Sequence, residues 1–193
     1  MTVIGITGGV GCGKSAVLQF LKEEYKAVIV ETDKLAHELE QKGNLCYNEI
    51  VPYFGREILD KDGIIDRKKL GTIVFSDSHK LEVLNSIVHP AVVDAIRQII
   101  VDNKDKPGYL FVESALLFES HIDRLCDKTW YIYTTETVRR QRLKESRGYS
   151  DEKISDMMKS QCREDEFKNL CDCIIDNNDD LCKTYAQIRE ELA

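Results

Sequence analysis

Residues 8–15 read GGVGCGKS and fit the pattern G-x-x-x-x-G-K-[ST]. A short apolar run at residues 3–6 precedes this stretch, and apolar residues follow it at helical spacing. In such a strand–loop–helix unit, glycines let backbone N–H groups and the helix N-terminus face phosphate oxygens. The alternative is a glycine-rich turn that precedes a lysine in a buried ion pair. The match at every fixed position, in this context, favours a phosphate-binding loop.

The chemistry of such a loop assigns a role to its polar residues. Lys14 would reach the β- and γ-phosphates of a nucleoside triphosphate, and the Ser15 hydroxyl would ligate Mg²⁺. The loop therefore predicts a nucleoside triphosphate and Mg²⁺ as cofactors. The residues predicted here to contact the nucleotide are Gly9, Gly11, Cys12, Gly13, Lys14, Ser15 and Ala16.

The composition excludes several classes of protein. The 193 residues are 42% apolar and 32% charged, which is typical of a globular domain and not of a disordered chain. A net charge of −7 disfavours nucleic acid as a partner. Uninterrupted apolar runs stay below the roughly 18 residues of a membrane span, and the first residues do not resemble a signal peptide. Seven cysteines, an odd number, favour free thiols in the cytoplasm without a structural metal.

Short apolar runs alternate with helical patterns along the chain. The runs predicted to be buried strands are residues 3–6, 27–30, 109–112, 130–133 and 173–175. This alternation predicts an α/β fold with a five-stranded parallel sheet flanked by helices. Residues 45–105 are mostly helical in pattern and too many for one crossover, which predicts a helical lobe. Within that lobe, His89-Pro90 predicts a break between two helices.

Two carboxylates follow predicted strands, at the end of a parallel sheet where ligands bind. Asp33 could accept a proton from an acceptor hydroxyl, or it could be the N-cap of a helix. Glu113 could hold Mg²⁺, directly or through water, or it could be an acid at a helix N-terminus. The spacing alone leaves both pairs of alternatives open.

A cationic segment follows the fourth predicted strand, and residues 139–147 contain five Lys or Arg side chains. Arg139 and Arg142 lie three residues apart, on one helical face, and could clamp a phosphate together. A run of charged residues is usually the solvent-exposed face of a helix. Its place after a strand in a phosphate-binding protein favours a lid, over about residues 138–160, that supplies arginines to the transition state.

Short motifs along almost the whole chain resemble the dephospho-coenzyme A (dephospho-CoA) kinase family. Single motifs of this set are weak signals, but their order and spacing together are specific. They lie at residues 7–9, 33–36, 54–55, 63–71, 74–77, 89–90, 116–119, 161 and 175–177.

The resemblance implies transfer of the γ-phosphate of ATP to the ribose 3′-hydroxyl of dephospho-CoA, the last step of coenzyme A synthesis. It implies a single P-loop kinase domain: a core of residues 1–44 and 106–193, an acceptor lobe at about 45–105, and the lid. Asp33 becomes the base, and Arg147 contacts the nucleotide. The residues implied in catalysis or acceptor binding are Lys14, Asp33, His89, Leu116, Leu117, Arg139 and Arg142.

Three positions depart from the family pattern. Glu113 stands where the family commonly has Asp, which moves the carboxylate by one methylene. Ser146 stands where a second lid arginine is expected, and Arg147 is the candidate to replace it. Cys12 stands where the family has a small residue such as Ser. A thiol at a helix N-terminus beside Lys14 leads to the hypothesis that Cys12 is oxidisable.

Other functions compete with a dephospho-CoA kinase. A nucleoside monophosphate kinase would share Lys14, Ser15 and a lid, and would differ in the lobe. A GTPase-like switch predicts an N-K-x-D motif, but residues 103–105 read only N-K-D and no strand leads into them. A third candidate is an ATP-binding module without catalysis. The prediction is a cytoplasmic kinase, monomeric or a small homo-oligomer, that binds small molecules and neither nucleic acid nor membrane.

Overall fold

The computed structural model describes residues 1–159 and 164–193. Its strands are β1 (Thr2–Thr7), β2 (Val28–Glu31), β3 (Tyr109–Glu113), β4 (Lys128–Tyr133) and β5 (Cys173–Asp176). Its α-helices are α1 (Lys14–Glu24), α2 (Thr32–Leu39), α3 (Leu45–Phe54), α4 (Arg67–Phe75), α5 (Ser78–Asn103), α6 (Glu136–Arg147), α7 (Asp151–Lys159), α8 (Glu164–Leu170) and α9 (Leu181–Glu191). Short 3₁₀ turns occur at Arg56–Ile58 and Ile122–Leu125.

The strands form one sheet in the order β2-β3-β1-β4-β5. Strand β1 pairs in parallel with β3 and β4, and β4 pairs in parallel with β5. The central strands β3, β1 and β4 are mostly buried, because helices cover both faces of a parallel sheet. The edge strands β2 and β5 have one buried residue each. The predicted α/β fold with a five-stranded parallel sheet is confirmed.

The chain divides into two compact units. The first unit contains Met1–Val30 and Lys104–Ala193, and the second contains Glu31–Asn103. The core of the first unit lies along the sheet, where Phe111 and Trp130 are fully buried with ring centroids 5.5 Å apart. Helix α1 packs on this core, and its Phe20 stacks on Tyr185 of α9 at 4.0 Å between ring centroids.

The second unit is built from helices α2 to α5. Its core contains Ile50 and Ile58, which are fully buried, together with Leu70 and Val74 of α4. Burying a side chain of this size stabilises a fold by about 1.5–3 kcal/mol. Asp66 caps α4, since its Oδ1 accepts hydrogen bonds from the backbone N–H groups of Lys68 and Lys69.

The predicted helix break at His89-Pro90 is wrong. Helix α5 runs without interruption from Ser78 to Asn103, with Pro90 inside it. A proline in a helix removes one N–H donor and crowds the carbonyl four residues earlier. Apolar side chains on both sides of Pro90, including Ile87, Val88 and Ala91, pack into the core of the second unit. This packing keeps both halves in one helix.

Helix α5 contains an 18-residue stretch with a mean hydropathy of 1.2, so it is long and apolar enough to cross a membrane by length and composition alone. A core helix of a globular protein passes the same test. Ala91, Val92 and Ile96 of α5 are buried within the protein, and 22% of the apolar 18-residue stretch is buried.

Candidate active site

The loop of residues 8–13 joins β1 to α1, and its glycines adopt backbone angles that other residues rarely take. Gly11 and Gly13 have φ values of 79° and 89°, in the left-handed region. A Cβ atom on Gly13 would also strike the side-chain amide of Asn177. Both the backbone angle and the close packing therefore require glycine at residue 13.

Lys14, the first residue of α1, folds back over this loop. Its Nζ donates a hydrogen bond to the carbonyl oxygen of Gly8 at 2.7 Å and lies 3.5 Å from Glu113 Oε1. The Lys14 and Glu113 side chains are only 16% and 14% exposed, so this ion pair is largely shielded from water. The sheet brings Glu113 to the loop, because Glu113 of β3 is in register with Ile6 of β1, which lies just before the loop. The ammonium group thus stands beside the loop before any anion binds.

Glu113 closes β3 and is followed by a turn, so the structure excludes the alternative that it is the N-terminal acid of a helix. Ser15 and Glu113 offer a hydroxyl and a carboxylate, the hard oxygen ligands that Mg²⁺ prefers. Within residues 1–159 and 164–193, no group of three or more His, Cys, Asp or Glu residues forms a ligand set. These residues fit a Mg²⁺ ion that takes its other ligands from phosphates and water.

Helix α6 brings two arginines to the loop. Arg139 Nε donates a hydrogen bond to the Val10 carbonyl at 2.8 Å, and its guanidinium occupies the position of a Cβ atom on Gly9. Arg142 lies one turn later, with Nη1 at 3.5 Å from the position of a Cβ atom on Gly13. Two guanidinium groups therefore border the loop, where they could form charge-assisted hydrogen bonds to phosphate.

The other cations of α6 lie elsewhere. Arg140 Nε donates to Glu136 Oε1 at 2.7 Å, and its Nη1 donates to Ser155 Oγ of α7 at 3.1 Å. Arg147 is exposed at the end of α6, with its guanidinium carbon 5.9 Å from the ring centroid of Tyr149. Within the predicted lid, the structure describes α6 and α7 as far as Lys159. Residue 160 and the motif position Gln161 lie outside the described residues.

Cys12 is a core residue of the first unit and is 1% exposed. Oxidation of a thiol requires access to solvent, so the structure contradicts the hypothesis of an oxidisable Cys12. The local sequence could not reveal this burial, which comes from a core cluster that also contains the distant residues Ile132 and Ile175. The backbone of Cys12 remains part of the loop. Its carbonyl accepts hydrogen bonds from Asn177 Nδ2 at 2.7 Å and Thr134 Oγ1 at 3.1 Å.

These contacts of Thr134 and Asn177 were not among the predicted site contacts. The two residues directly follow β4 and β5, and each is 1% exposed. Because the carboxyl ends of parallel strands meet at one edge of the sheet, both residues arrive beside the loop that follows β1. A polar residue directly after a predicted strand was the available signal.

Asp33 belongs to the second unit, where it lies in the first turn of α2 and is exposed. The N-cap of α2 is Glu31, so the alternative that Asp33 is the N-cap is wrong. The structure leaves Asp33 as an exposed carboxylate that follows β2 closely in the chain.

His89 is half-buried within α5 of the second unit. Burial lowers the pKa of His89 from its ordinary value, because a buried imidazolium loses hydration. The neutral ring, which can both donate and accept a hydrogen bond, is therefore favoured.

The predicted acceptor contacts Leu116 and Leu117 lie in the first unit and differ in exposure. Leu116 is 47% exposed, whereas Leu117 is fully buried. The Leu117 methyl groups pack against Gly5 of β1, at 3.1 Å from the position of a Cβ atom there. Leu117 thus has a packing role, and Leu116 is the one available to a ligand.

Comparisons of sequence place this chain among known proteins. The family model described as "CoaE: Dephospho-CoA kinase" matches residues 2–183. A dephospho-CoA kinase of Oceanobacillus iheyensis is 39% identical over 188 residues, which cover 96% of this chain and 94% of that protein. The dephospho-CoA kinase of Aquifex aeolicus is 37% identical over 190 residues, with 98% and 95% covered.

Comparisons of structure agree with those of sequence. The dephospho-CoA kinase of Campylobacter jejuni is 26% identical with a TM-score of 0.72, and the match covers 98% of this chain and 96% of that one. A shikimate kinase of Bacteroides thetaiotaomicron shares the fold alone. It is 11% identical with a TM-score of 0.53, and the match covers 99% of this chain and 97% of that one. The fold is that of P-loop kinases. The chain belongs to the dephospho-CoA kinase family.

Proposed function

We propose that the chain transfers the γ-phosphate of ATP to the ribose 3′-hydroxyl of dephospho-CoA and releases coenzyme A and ADP. The observation that carries this proposal is the phosphate-binding loop of residues 8–15, bordered by Lys14 and Arg139, in a chain of this family. In the reaction, the bond from the γ-phosphorus to the oxygen of ADP breaks and a bond to the 3′-oxygen forms. The hydroxyl proton must leave to a base.

Charge on the transferring group is the main barrier that the first unit would lower. Phosphoryl transfer depends on positioning and on stabilising charge over the phosphate oxygens. Lys14, Arg139 and Arg142 provide three cationic groups around the loop. Since Lys14 is paired with Glu113 at 3.5 Å, an arriving phosphate would exchange this carboxylate for its own oxygens. Arg147 and Ala16 are further candidates for the nucleotide, and Gly9, Gly11 and Gly13 would contribute backbone N–H groups.

Ser15 and Glu113 would hold Mg²⁺ beside the β- and γ-phosphates. Bound there, Mg²⁺ supplies further neutralisation of phosphate charge. The Ser15 hydroxyl is on the exposed side of α1, and Glu113 lies at the end of β3.

The acceptor would be deprotonated by Asp33. Two observations support this role: the carboxylate is exposed, and it is not the N-cap of α2. It also follows β2 closely, and ligands bind beyond the carboxyl ends of parallel strands. The helical second unit would bind the acceptor, with His89 as a contact. Leu116 is a separate candidate for an acceptor contact. We further propose that the enzyme is cytoplasmic and is a monomer or small homo-oligomer.

The test is a panel of acceptors incubated with ATP labelled at the γ-phosphate. We expect label in dephospho-CoA at the 3′-position, and none in nucleoside monophosphates. Phosphorylation of a nucleoside monophosphate without phosphorylation of dephospho-CoA would overturn the proposal. A Lys14→Met variant, run in parallel, controls for a contaminating kinase.

A further inference from the structure

Asn177 is a buried polar residue to which the proposed chemistry assigns no role. It follows β5 directly and is 1% exposed. Its backbone N–H donates a hydrogen bond to the Tyr133 carbonyl at 2.8 Å, which fixes the residue beside the end of β4. A polar side chain without access to water must find its partners inside the protein.

The partners of the Asn177 amide fix its orientation. Its Nδ2 donates a hydrogen bond to the Cys12 carbonyl at 2.7 Å, and its Oδ1 accepts one from Thr184 Oγ1 at 2.9 Å. Thr184 is itself 1% exposed, on α9. A flipped amide would place two oxygens against each other at Cys12. The Cys12 carbonyl therefore requires the N–H side of the amide to face the loop. The Thr184 hydroxyl, which also lies 3.2 Å from the Asp176 carbonyl, is a second contact that holds the amide in place.

The direction of the Cys12 carbonyl determines the direction of the next N–H group. In a trans peptide, the C=O of one residue and the N–H of the following residue point in opposite directions. The described residues contain no cis peptide. Because the Cys12 carbonyl points to Asn177, the N–H of Gly13 points away from it, on the side where a phosphate would bind.

Two further contacts limit the movement of this peptide. Thr134 Oγ1, also buried, lies 3.1 Å from the same carbonyl. The Asn177 amide packs so closely on Gly13 that a Cβ atom there would strike it. Side chains that follow β4 and β5 thus hold the peptide between Cys12 and Gly13 in place.

We infer that Asn177 is a positioning residue, which aims the Gly13 N–H at a phosphate of the nucleotide through its hydrogen bond to Cys12. Thr184 acts on the same contact by fixing the amide. The inference rests on the proposed function for the identity of the ligand as ATP. It does not depend on the identity of the acceptor.

The test replaces the donor by an acceptor of the same shape, in Asn177→Asp. We expect the affinity for a non-hydrolysable ATP analogue, measured by calorimetry, to fall about tenfold or more, because an oxygen then faces the Cys12 carbonyl. The KM for ATP should rise in parallel, and the KM for dephospho-CoA should stay within about twofold. A merely structural role would lower the melting temperature without this split between the two substrates. Asn169→Asp makes the same chemical change at an exposed position of α8 and should leave the analogue affinity unchanged.

A second pair of variants keeps the test decisive if Asn177→Asp does not fold. Thr184→Val removes the hydroxyl at nearly constant volume, whereas Thr184→Ser retains it. We expect weaker analogue binding in the valine variant and wild-type binding in the serine variant. The inference is overturned if Asn177→Asp binds the analogue within about twofold of wild type. If Asn177→Asp is unfolded, the same result for Thr184→Val overturns it. If the wild type binds the analogue but does not phosphorylate dephospho-CoA, the proposed function fails, and the binding comparison still decides this inference.

Discussion

The phosphate-binding loop and the helical second unit are stabilised by contacts of different range. The loop is anchored by side chains that are distant in sequence. Thr134 reaches Cys12 across 122 positions, Arg139 reaches Val10 across 129, and Asn177 reaches Cys12 across 165.

Contacts within the second unit are shorter in range. Tyr47 donates to the Gly63 carbonyl across 16 positions, Lys69 to the Leu59 carbonyl across 10, and Asp66 caps the turn that follows it. Local contacts form with a small loss of chain entropy, whereas distant contacts require the whole sheet. Substitutions in the loop and its anchors should therefore change nucleotide binding and turnover. Substitutions in the second unit should change stability, except at the residues proposed to act on the acceptor.

The largest effect is expected for Lys14→Met. Removing the ammonium group leaves charge on the transferring phosphoryl group uncompensated, and kcat should fall about 10³-fold. Lys22→Met, an exposed position on the same helix, is the control. Steady-state kinetics with dephospho-CoA measures both variants. A kcat within about tenfold of wild type would remove Lys14 from the mechanism.

A smaller loss of kcat is expected for Asp33→Asn. This variant tests a residue of the second unit that is proposed to act on the acceptor. Without a base, the 3′-hydroxyl keeps its proton longer, and kcat should fall about 10²-fold with little change in the KM for ATP. Glu38→Gln neutralises another exposed carboxylate of α2 as the control. Nearly unchanged kcat in Asp33→Asn would show that another group accepts the proton.

The arginines of α6 permit a comparison between neighbours. Arg139 contacts the Val10 carbonyl of the loop, whereas Arg140 is paired with Glu136. Arg139→Ala should therefore raise the KM for ATP about tenfold, and Arg140→Ala should leave it within about twofold. Equal effects of the two substitutions would contradict the assignment of Arg139 to the nucleotide.

In the second unit, Asp66→Ala should reduce stability without altering the KM for ATP. Loss of the N-cap leaves the N–H groups of Lys68 and Lys69 without their side-chain acceptor, which costs about 1 kcal/mol. Urea denaturation followed by circular dichroism measures the change. Asp66→Asn retains the acceptor and should lie close to wild type. A raised KM for ATP in Asp66→Ala would break the contrast between the two regions.

The smallest expected effect concerns the pH dependence of stability at His89. Burial lowers the pKa of His89 in the folded state below its ordinary value of 6.5. The stability contributed by the neutral ring is thus fully present above pH 6.5 and is lost as the pH falls toward the folded pKa. His89→Gln, which stays neutral, should lose less stability between about pH 8 and about pH 5.5 than the wild type does. His79→Gln, at an exposed position of α5, should follow the wild type.

The strands could be predicted from the sequence because buried parallel strands are continuous apolar runs. The run at residues 3–6 became β1 (Thr2–Thr7), and the run at residues 130–133 became β4 (Lys128–Tyr133). The loop pattern also carried enough information to place Lys14 beside the glycines. These features depend on neighbours in sequence, which is why local patterns contain them.

Other features depend on packing between distant segments. Pro90 favours a break locally, but the apolar residues around it are held in one helix by the core of the second unit. Cys12 stands at a helix N-terminus beside a lysine, as reactive thiols do, yet it is buried in a core cluster with Ile132 and Ile175. The contacts of Thr134 and Asn177 arise only when β4 and β5 lie in the sheet. No local pattern contains these facts.

Trp130 is the only tryptophan in the sequence, and it lies fully buried against Phe111 in the first unit. Indole emission shifts to longer wavelength when the ring becomes hydrated, so intrinsic fluorescence will report the opening of that core. The second unit contains no tryptophan and can unfold without a change in this signal. Fluorescence and far-ultraviolet circular dichroism, recorded on the same sample, will therefore separate the melting of the nucleotide-binding core from that of the helices. If the two signals change at different temperatures, their order is the order in which the units unfold.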